Sequence, residues 1–268
     1  MAKFLLWNVQ RKRLDRLVVE LVEAEGIDVV MLVERPAVLP PLTAAFAHRG
    51  FVVVTSEDRF AVYAKPEIGL TPYPLPVPPI RANVYRWVGG SQLDGLMALV
   101  HGHDRRNKSD GTRAAYLRGV VAAVREAEVQ LGHKRSIILG DFNANPFDPA
   151  VVGANGLHAL GIRQVRGRTN RTFLGQEADF FYNPMWRLFG HGRDAGGATH
   201  HFAGYDEVEL IWHMLDQVVI RPEALDRFPE HELKIFTRIG TTNLWDAVEV
   251  PDTEAASDHL PVIFRWDL

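Results

Sequence analysis

Apolar residues fall along the chain in two spacings, one proper to helices and one to buried strands. Lys3 to Asn8 reads as an opening strand. Leu14, Leu17, Val18, Leu21 and Val22 then recur at i, i+3, i+4, i+7 and i+8, a single apolar helix stripe. Gly26 closes it, as a left-handed cap requires. From Ile27 to Val33 the only polar residue is Asp28, the pattern of a strand covered on both faces, and Glu34 stands where that run stops. Pro40 and Pro41 suit the first turn of a short helix through Ala47, with Gly50 stopping it. Residues 51–64 predict two strands around the polar turn Ser56-Glu57-Asp58. Pro72, Pro74, Pro76, Pro78 and Pro79 predict a rigid surface connection between strands. Further strands are expected at Val84–Trp87, Leu96–His101, Arg135–Leu139, Met214–Ile220 and Leu260–Trp266. Leu117, Val120, Val121 and Val124 form a second helix stripe. Residues 142–212 are loop-rich and weakly patterned. Strands interleaved with two good helices and hairpin-like loops predict an α/β or α+β fold with mixed sheets, without the βα alternation of a barrel.

Composition narrows the class. The 268 residues are 47% hydrophobic and 24% charged, which excludes disordered, collagen-like and coiled-coil chains. The length allows residues 1–268 to form one domain. Cysteine is absent, so disulfides, thiolate zinc sites and cysteine nucleophiles are excluded together. A metal would have to be held by Asp, Glu, Asn or His. No apolar run approaches the ~20 residues of a membrane span, and Met-Ala-Lys-Phe-Leu-Leu-Trp-Asn turns polar too soon for a secretion signal. With a cysteine content that fits a reducing compartment, the expectation is a cytoplasmic protein without a membrane partner. Thirty Lys and Arg against 33 Asp and Glu give a net charge of −3, so any basic face must be local.

The candidate chemistry sits at strand ends. Asn8 ends the first strand and Glu34 the second; Asp141 and Asn143 follow Ile137–Leu139, and Asp258-His259 precede the last strand. One carboxylate at a strand end is an ordinary turn-former. Several on one sheet layer converge on one edge, where sites in α/β folds lie. Asp216, between Leu215 and Val218, is costly in an apolar strand unless paired. Oxygen ligands without thiolates select a hard cation, Mg²⁺ or Mn²⁺.

Six segments occur in order across residues 7 to 264: Trp7-Asn8, Val33-Glu34, Leu99-Val100-His101, Gly140-Asp141-Phe142-Asn143, Leu215-Asp216-Gln217-Val218 and Ser257-Asp258-His259-Leu260-Pro261. On them the chain resembles the endonuclease/exonuclease/phosphatase superfamily, of deoxyribonuclease I and exonuclease III type. The resemblance implies a four-layer sandwich, two mixed sheets face to face with helices outside, and divalent-metal-dependent hydrolysis of phosphate esters. It implies Glu34 as principal metal ligand, assisted by Asp258 and the amide of Asn8. Asp141 would activate or orient the attacking water, Asn143 would hold a phosphate oxygen, His259 would contact the phosphoryl group, and Asp216 would buttress that imidazole. His101 falls where relatives place a His or Tyr near the leaving group; His103, two residues on and facing the same side of an extended chain, is the alternative. Gln10 departs from the acid that nuclease relatives often carry there, which weakens the case for a second metal. His101-Gly102-His103 does not reproduce the signature of abasic endonucleases.

Of the basic clusters, Arg11-Lys12-Arg13-Arg16 is expected to be a solvated face. Arg105, Arg106, Lys108 and Arg113, and the group Arg163, Arg166, Arg168 and Arg171, lie in segments that can approach the site, so Arg105, Arg166, Arg168, Arg171 and His103 are candidate substrate contacts. Phe180, Phe181 and Tyr182 either stack bases or form a buried wall. His200 and His201 are neighbours on an extended chain and point to opposite faces, so joint metal ligation is not expected. The function expected is a Mg²⁺- or Mn²⁺-dependent phosphoesterase, a nuclease with a nucleic-acid substrate first. The alternative is a phosphatase or phosphodiesterase on nucleotides, inositol phosphates or lipid headgroups. Glu34, Asp141, Asn143, Asp216, Asp258 and His259 all being retained speaks against an inactive binding module.

Overall fold

The computed structural model describes residues 2–57, 59–77, 79–88, 93–163, 167–189, 197–202, 212–245 and 250–267. The chain runs β1 (Ala2–Asn8), α1 (Asp15–Glu25), β2 (Val29–Val33), α2 (Pro40–Ala47), β3 (Val52–Thr55), β4 (Phe60–Ala64), β5 (Leu70–Pro72), β6 (Ala82–Val88), β7 (Asp94–His101), α3 (Asp110–Leu131) and β8 (Ser136–Asp141). The weakly patterned region holds α4 (Pro149–Val152), β9 (Ala159–Leu160), β10 (Asn170–Phe173), β11 (Gln176–Asp179), β12 (Phe181–Tyr182), α5 (Met185–Phe189), β13 (His200–His201) and β14 (Trp212–His213). The last elements are β15 (Asp216–Ile220), β16 (Lys234–Ile235), β17 (Arg238–Ile239), β18 (Thr242–Asn243) and β19 (Val262–Trp266).

Among the described residues, two large mixed sheets form. One has the order β16-β19-β1-β2-β4-β3, the other β5-β6-β7-β8-β15-β12-β9. Side-chain alternation then sorts the second sheet. Met97, Leu99, Ile137, Leu139, Val218 and Ile220 enter the core shared with the first sheet. Leu96, Ala98, Val100, Ile138 and Val219 face away, under Leu117, Val120 and Val124 of α3. Phe4 bridges the sheets, stacked on Phe264 at 5.0 Å and edge-on to Trp87 at 5.5 Å. On the far side α1 buries Leu17, Val18, Leu21 and Val22 against the first sheet, worth ~1.5–3 kcal/mol per fully buried side chain. Gly26 caps it in the left-handed conformation, φ 63°. The result is the expected four-layer sandwich, because each helix has one apolar stripe and each sheet two faces to cover.

The predicted strands are found with their ends shifted by one or two residues, and two of the shifted starts have a clear local cause. Met214 and Leu215 precede β15, because the Leu215 N–H turns to Thr199 Oγ1 and its carbonyl accepts from Phe142 N–H. Leu260 and Pro261 precede β19, Leu260 donating its N–H to Thr199 O. The proline-rich stretch connects the antiparallel strands β5 and β6, as expected. No helix among the described residues is long and apolar enough to cross a membrane.

Strand register positions the site. β7 and β8 are parallel with His101 opposite Asp141. β15 runs antiparallel to β8, so its first residue, Asp216, pairs with the last residue of β8, Asp141. In the other sheet β1 and β2 are parallel with Asn8 opposite Val33, and β19 is antiparallel to β1. The ends of β1, β2, β7 and β8 and the starts of β15 and β19 therefore share one edge of the sandwich.

Candidate active site

The floor of that edge is the carboxylate of Asp141, 1% exposed. Its Oδ2 accepts from Asn8 Nδ2 and from Asn143 Nδ2, both at 3.0 Å, and its Oδ1 accepts from the Asn143 backbone N–H at 2.8 Å. The last contact is an Asx-type turn, and Asn143 adopts φ +50°, which asparagine tolerates better than most residues. Gly140 makes the preceding bend. At φ +137° a Cβ there would lie 2.0 Å from Val100 O, so only glycine lets β8 pass β7 so closely. Gly102 on the opposing loop is equally tight, with a Cβ meeting Phe142 O at 2.1 Å. Burial raises the Asp141 carboxyl above the ordinary range; the charge of His259 opposes this and that of Asp216 adds to it.

His259 stands beside Asp141. A carboxylate only accepts, so the 2.7 Å contact to Asp216 Oδ2 puts a proton on His259 Nδ1 and turns Nε2 to the cleft. Asp216 is fully buried, and its own N–H donates to Thr199 Oγ1 at 3.0 Å. Burial alone would lower the imidazole's pKa, but the carboxylates of Asp216, Asp141 and Asp258 outweigh it and push it up to about 10. The loop bearing His259 is tied to β1: Ser257 Oγ donates to Asn8 O at 2.7 Å and accepts from His259 N–H at 3.2 Å, while Trp7 Nε1 donates to His259 O at 2.9 Å. Trp7 and Ser257 thus act as positioning residues.

Glu34 approaches from the end of β2 at φ +47°, a conformation that costs a non-glycine residue ~1–3 kcal/mol and that the surrounding structure must impose. Arg11 N–H donates to Glu34 O at 2.8 Å and Arg35 N–H to Arg59 O at 3.0 Å, which holds the turn. His101 Nε2 lies 3.3 Å from Glu34 Oε1 and 3.8 Å from Asp141 Oδ2. The hydrogen bond from His101 outweighs burial and, with the charges of His101 and His259, holds the Glu34 carboxyl at about 2. Asp258 is half-buried, one oxygen accepting from Gln10 Nε2 at 2.8 Å. Gln10 steers Asp258 instead of adding a negative charge.

The cleft above this floor has a volume of about 850 Å³, and arginines line its rim. Arg105 and Arg106 are exposed, Arg59 and Arg81 half-buried. Arg113 is buried and spent on Asp110, Asp148 and the Asn143 carbonyl, so it braces the loop. Phe147 and Phe202 line the walls, with Arg106 Cζ 4.6 Å above the Phe202 ring.

Several candidate residues lie elsewhere. His103 stacks edge-on against Tyr116 at 5.0 Å and does not line the cleft, whereas His101 does. Arg168 and Arg171 do not line it either. Arg171 is in the β10–β11 hairpin, whose last residue, Asp179, pairs with Lys134 at 2.9 Å, next to the start of β8. Asp141 is at the other end of that strand, so the hairpin's cations are a strand length from the chemistry. Arg166 lies outside the described residues. Phe180, Phe181 and Tyr182 are a buried wall. Asn8 has its amide nitrogen on Asp141 while its Oδ1 accepts from Gln10 N–H at 3.0 Å, so it first of all positions Asp141.

Sequence reasoning missed Arg59, Arg81, Asn145, His200, His213 and Phe202, all of which line the cleft. His200 faces the site and His201 turns away onto Trp212, with the rings 5.3 Å apart, as strand alternation requires. Burial, then the charges of His259 and His213, hold the His200 imidazole down at about 2.

The half-buried carboxylates of Glu34 and Asp258 beside the buried Asp141 form a hard, oxygen-only donor set, which fits a divalent cation of the Mg²⁺ or Mn²⁺ type. Among solved structures, the 3' phosphatase NExo from Neisseria bound to a product DNA hairpin has a similar fold, with TM-score 0.58, 15% identity and 100% of both chains covered. The human nocturnin catalytic domain with a bound sulfate anion gives TM-score 0.57 and 14% identity over 98% of this chain and 92% of that one. D. rerio TDP2 complexed with a single-strand DNA product gives 0.56 and 13% over 100% and 99%. At such identities the likeness is one of fold. No curated protein matches in sequence. The profile of the Endonuclease/Exonuclease/phosphatase family matches residues 5–259. The chain therefore belongs to the endonuclease/exonuclease/phosphatase family and is a phosphoester hydrolase.

Proposed function

We infer that this hydrolase is divalent-cation-dependent and cleaves phosphodiester bonds of nucleic acid. The observation that carries the reading is the union of the Asp141–His259 floor with a rim of arginines and two exposed aromatic side chains. A phosphodiester repels an anionic nucleophile and water is a poor one, so the site must lower charge and take a proton. A cation held by Glu34 and Asp258 supplies charge neutralisation at the phosphoryl oxygen when bound. Asp141, made more basic by burial, accepts the proton of the attacking water, with its orientation set by Asn8 and Asn143. Asn143 and the imidazolium of His259 hold the phosphoryl oxygens, and Asp216 keeps that imidazole charged and oriented. His101 holds Glu34 and, from the same cleft wall, assists the leaving group. Arg105 and Arg106 draw in the polyanion, and Phe147 and Phe202 offer π-faces to its bases.

A cleft of about 850 Å³ is also the size of a small-molecule site, which favours phosphorylated nucleotides or similar esters as the second reading. The deciding experiment is a hydrolysis panel of single- and double-stranded DNA, RNA and phosphomonoesters, with EDTA or with added Mg²⁺ or Mn²⁺. Cleavage of nucleic acid that vanishes in EDTA and returns with the cation is expected. Full activity in chelator refutes the cation, and hydrolysis of monoesters alone refutes the nucleic-acid reading.

A further inference from the structure

His200 lines the cleft wall against the catalytic imidazole, and the hydrolytic scheme does not use it. It opens β13, bridges to His259, and sets its ring 4.7 Å from that of His259 and 6.3 Å from that of His213. The side chain is only 17% exposed. Its Nδ1 is buried without a hydrogen-bond partner among the described residues. Its Nε2 points at Asp258 Oδ2 from 3.9 Å, too far for a hydrogen bond. An imidazole buried in this way carries an unrepaid desolvation cost, and such exceptions call for an explanation. Opposite it, His259 Nε2 lies 4.0 Å from Asp258 Oδ1, its Nδ1 being committed to Asp216. One donor atom from each of His200, Asp258 and His259 falls within 4.8 Å of the other two.

We propose that His200, Asp258 and His259 bind a borderline divalent ion, Zn²⁺ foremost, and that its occupation withdraws His259 Nε2 from the hydrolytic centre. Two imidazoles and one carboxylate, with a fourth position open to the cleft, form the donor set of a tetrahedral zinc ion and not of Mg²⁺, which prefers oxygen. Ligand distances of ~2.0–2.1 Å place tetrahedral donors roughly 3.4 Å apart, so the three side chains need only draw together by about an ångström. The support behind them is built already. Asp216 fixes the tautomer of His259 as metal-bound histidines require, and Gln10 anchors one oxygen of Asp258. Binding displaces the Nε2 proton of His259 to solvent. With the ion in place that nitrogen has no hydrogen to offer a phosphoryl oxygen, and hydrolysis stops. The inhibitory half rests on the functional reading above; the binding half does not.

The test is calorimetric titration of Zn²⁺ into the full chain after EDTA treatment and dialysis, for the parent, His200→Gln and His201→Gln. Outer-shell partners alone are worth ~10–100-fold in metal affinity, so loss of a direct ligand in His200→Gln should weaken binding at least ~10-fold. His201→Gln, whose ring packs on Trp212, should bind as the parent does. In the parent itself, Zn²⁺ should shift the ring NMR resonances of His200 and His259, a readout independent of any variant's folding. Equal affinity of parent and His200→Gln, or unmoved ring resonances, overturns the site. In hydrolysis supported by Mg²⁺, the Zn²⁺ needed for half-inhibition should rise in His200→Gln by the same factor. Zinc binding that depends on His200, in a chain that hydrolyses nothing in the panel, supports the site and refutes the inhibitory half together with the hydrolytic reading.

Discussion

Replacing Asp216 by Asn removes the charge behind His259 while keeping the side chain's size. The two are 2.7 Å apart and both are buried, so the carboxylate acts on the imidazole with little screening. It is the strongest of the three carboxylates, with Asp141 and Asp258, that lift His259 from 6.5 to about 10 against burial, and each pKa unit corresponds to about 1.36 kcal/mol favouring the imidazolium. Without it the imidazole falls back towards 6.5, with only Asp141 and Asp258 left to oppose burial. With the imidazole down at 6.5, about 3% of His259 is protonated at pH 8 against nearly all in the parent, so the loss in kcat at that pH approaches ~30-fold. The loss should grow about tenfold from pH 8 to pH 9, begin to level off towards pH 10 and nearly vanish at pH 6. The assay is kcat against pH from 5.5 to 10 on the best substrate of the panel. The alkaline limb should move from about 10 in the parent towards 6.5 in the variant. Stability should follow the same sign. A raised pKa contributes fully below 6.5 and is lost as pH rises through about 10, so the difference in denaturation free energy between parent and variant should shrink across that window. An alkaline limb that stays in place, with an equal loss at every pH, would show that Asp216 does not set the charge of His259.

Three further outcomes are expected. His259→Ala should lower kcat by ~10²–10⁴, and adding Asp216→Asn to it should do little more, because the two act as one unit; full additivity in kinetic measurements refutes the pairing. Arg105→Gln with Arg106→Gln should weaken nucleic-acid binding and flatten its salt dependence, whereas Arg171→Gln should leave both unchanged, as binding titrations at several salt concentrations will show. In EDTA, Glu34→Gln should cost stability above pH 4.5, and the difference should fade as pH falls through about 2, the signature of a carboxylate held at about 2 in the fold; an acid titration followed by circular dichroism reads this directly.

Asp216 shows how far sequence could go. A lone carboxylate between Leu215 and Val218 declares that it is paired, because the alternative is prohibitively costly in an apolar strand. The declaration does not say with what. His259 is 43 residues away, just ahead of β19 in the other sheet, and only the packing of the two sheets brings it to the start of β15. Arg171 shows the reverse. Its charge and its place after Asn143 made it a plausible substrate contact, but proximity in sequence to a strand's end says nothing about the direction in which the following hairpin runs. That hairpin turns back to Lys134, at the opposite end of β8.

Local chemistry thus determined the main elements outside residues 142–212, their boundaries to within a few residues, the strand-end carboxylates and the exclusion of thiolate ligands. Those properties follow from periodicity, from glycine and proline stereochemistry and from the ligands cysteine's absence leaves, all of which act over short stretches. The tertiary structure alone decided which of His101 and His103 enters the cleft, which arginines ring it, and that Gln10 steers Asp258. It also decided that His200 faces His259 while His201 does not. These are matters of register, strand direction and sheet packing, set by the summed burial of two large apolar faces, and no short window of sequence contains that sum.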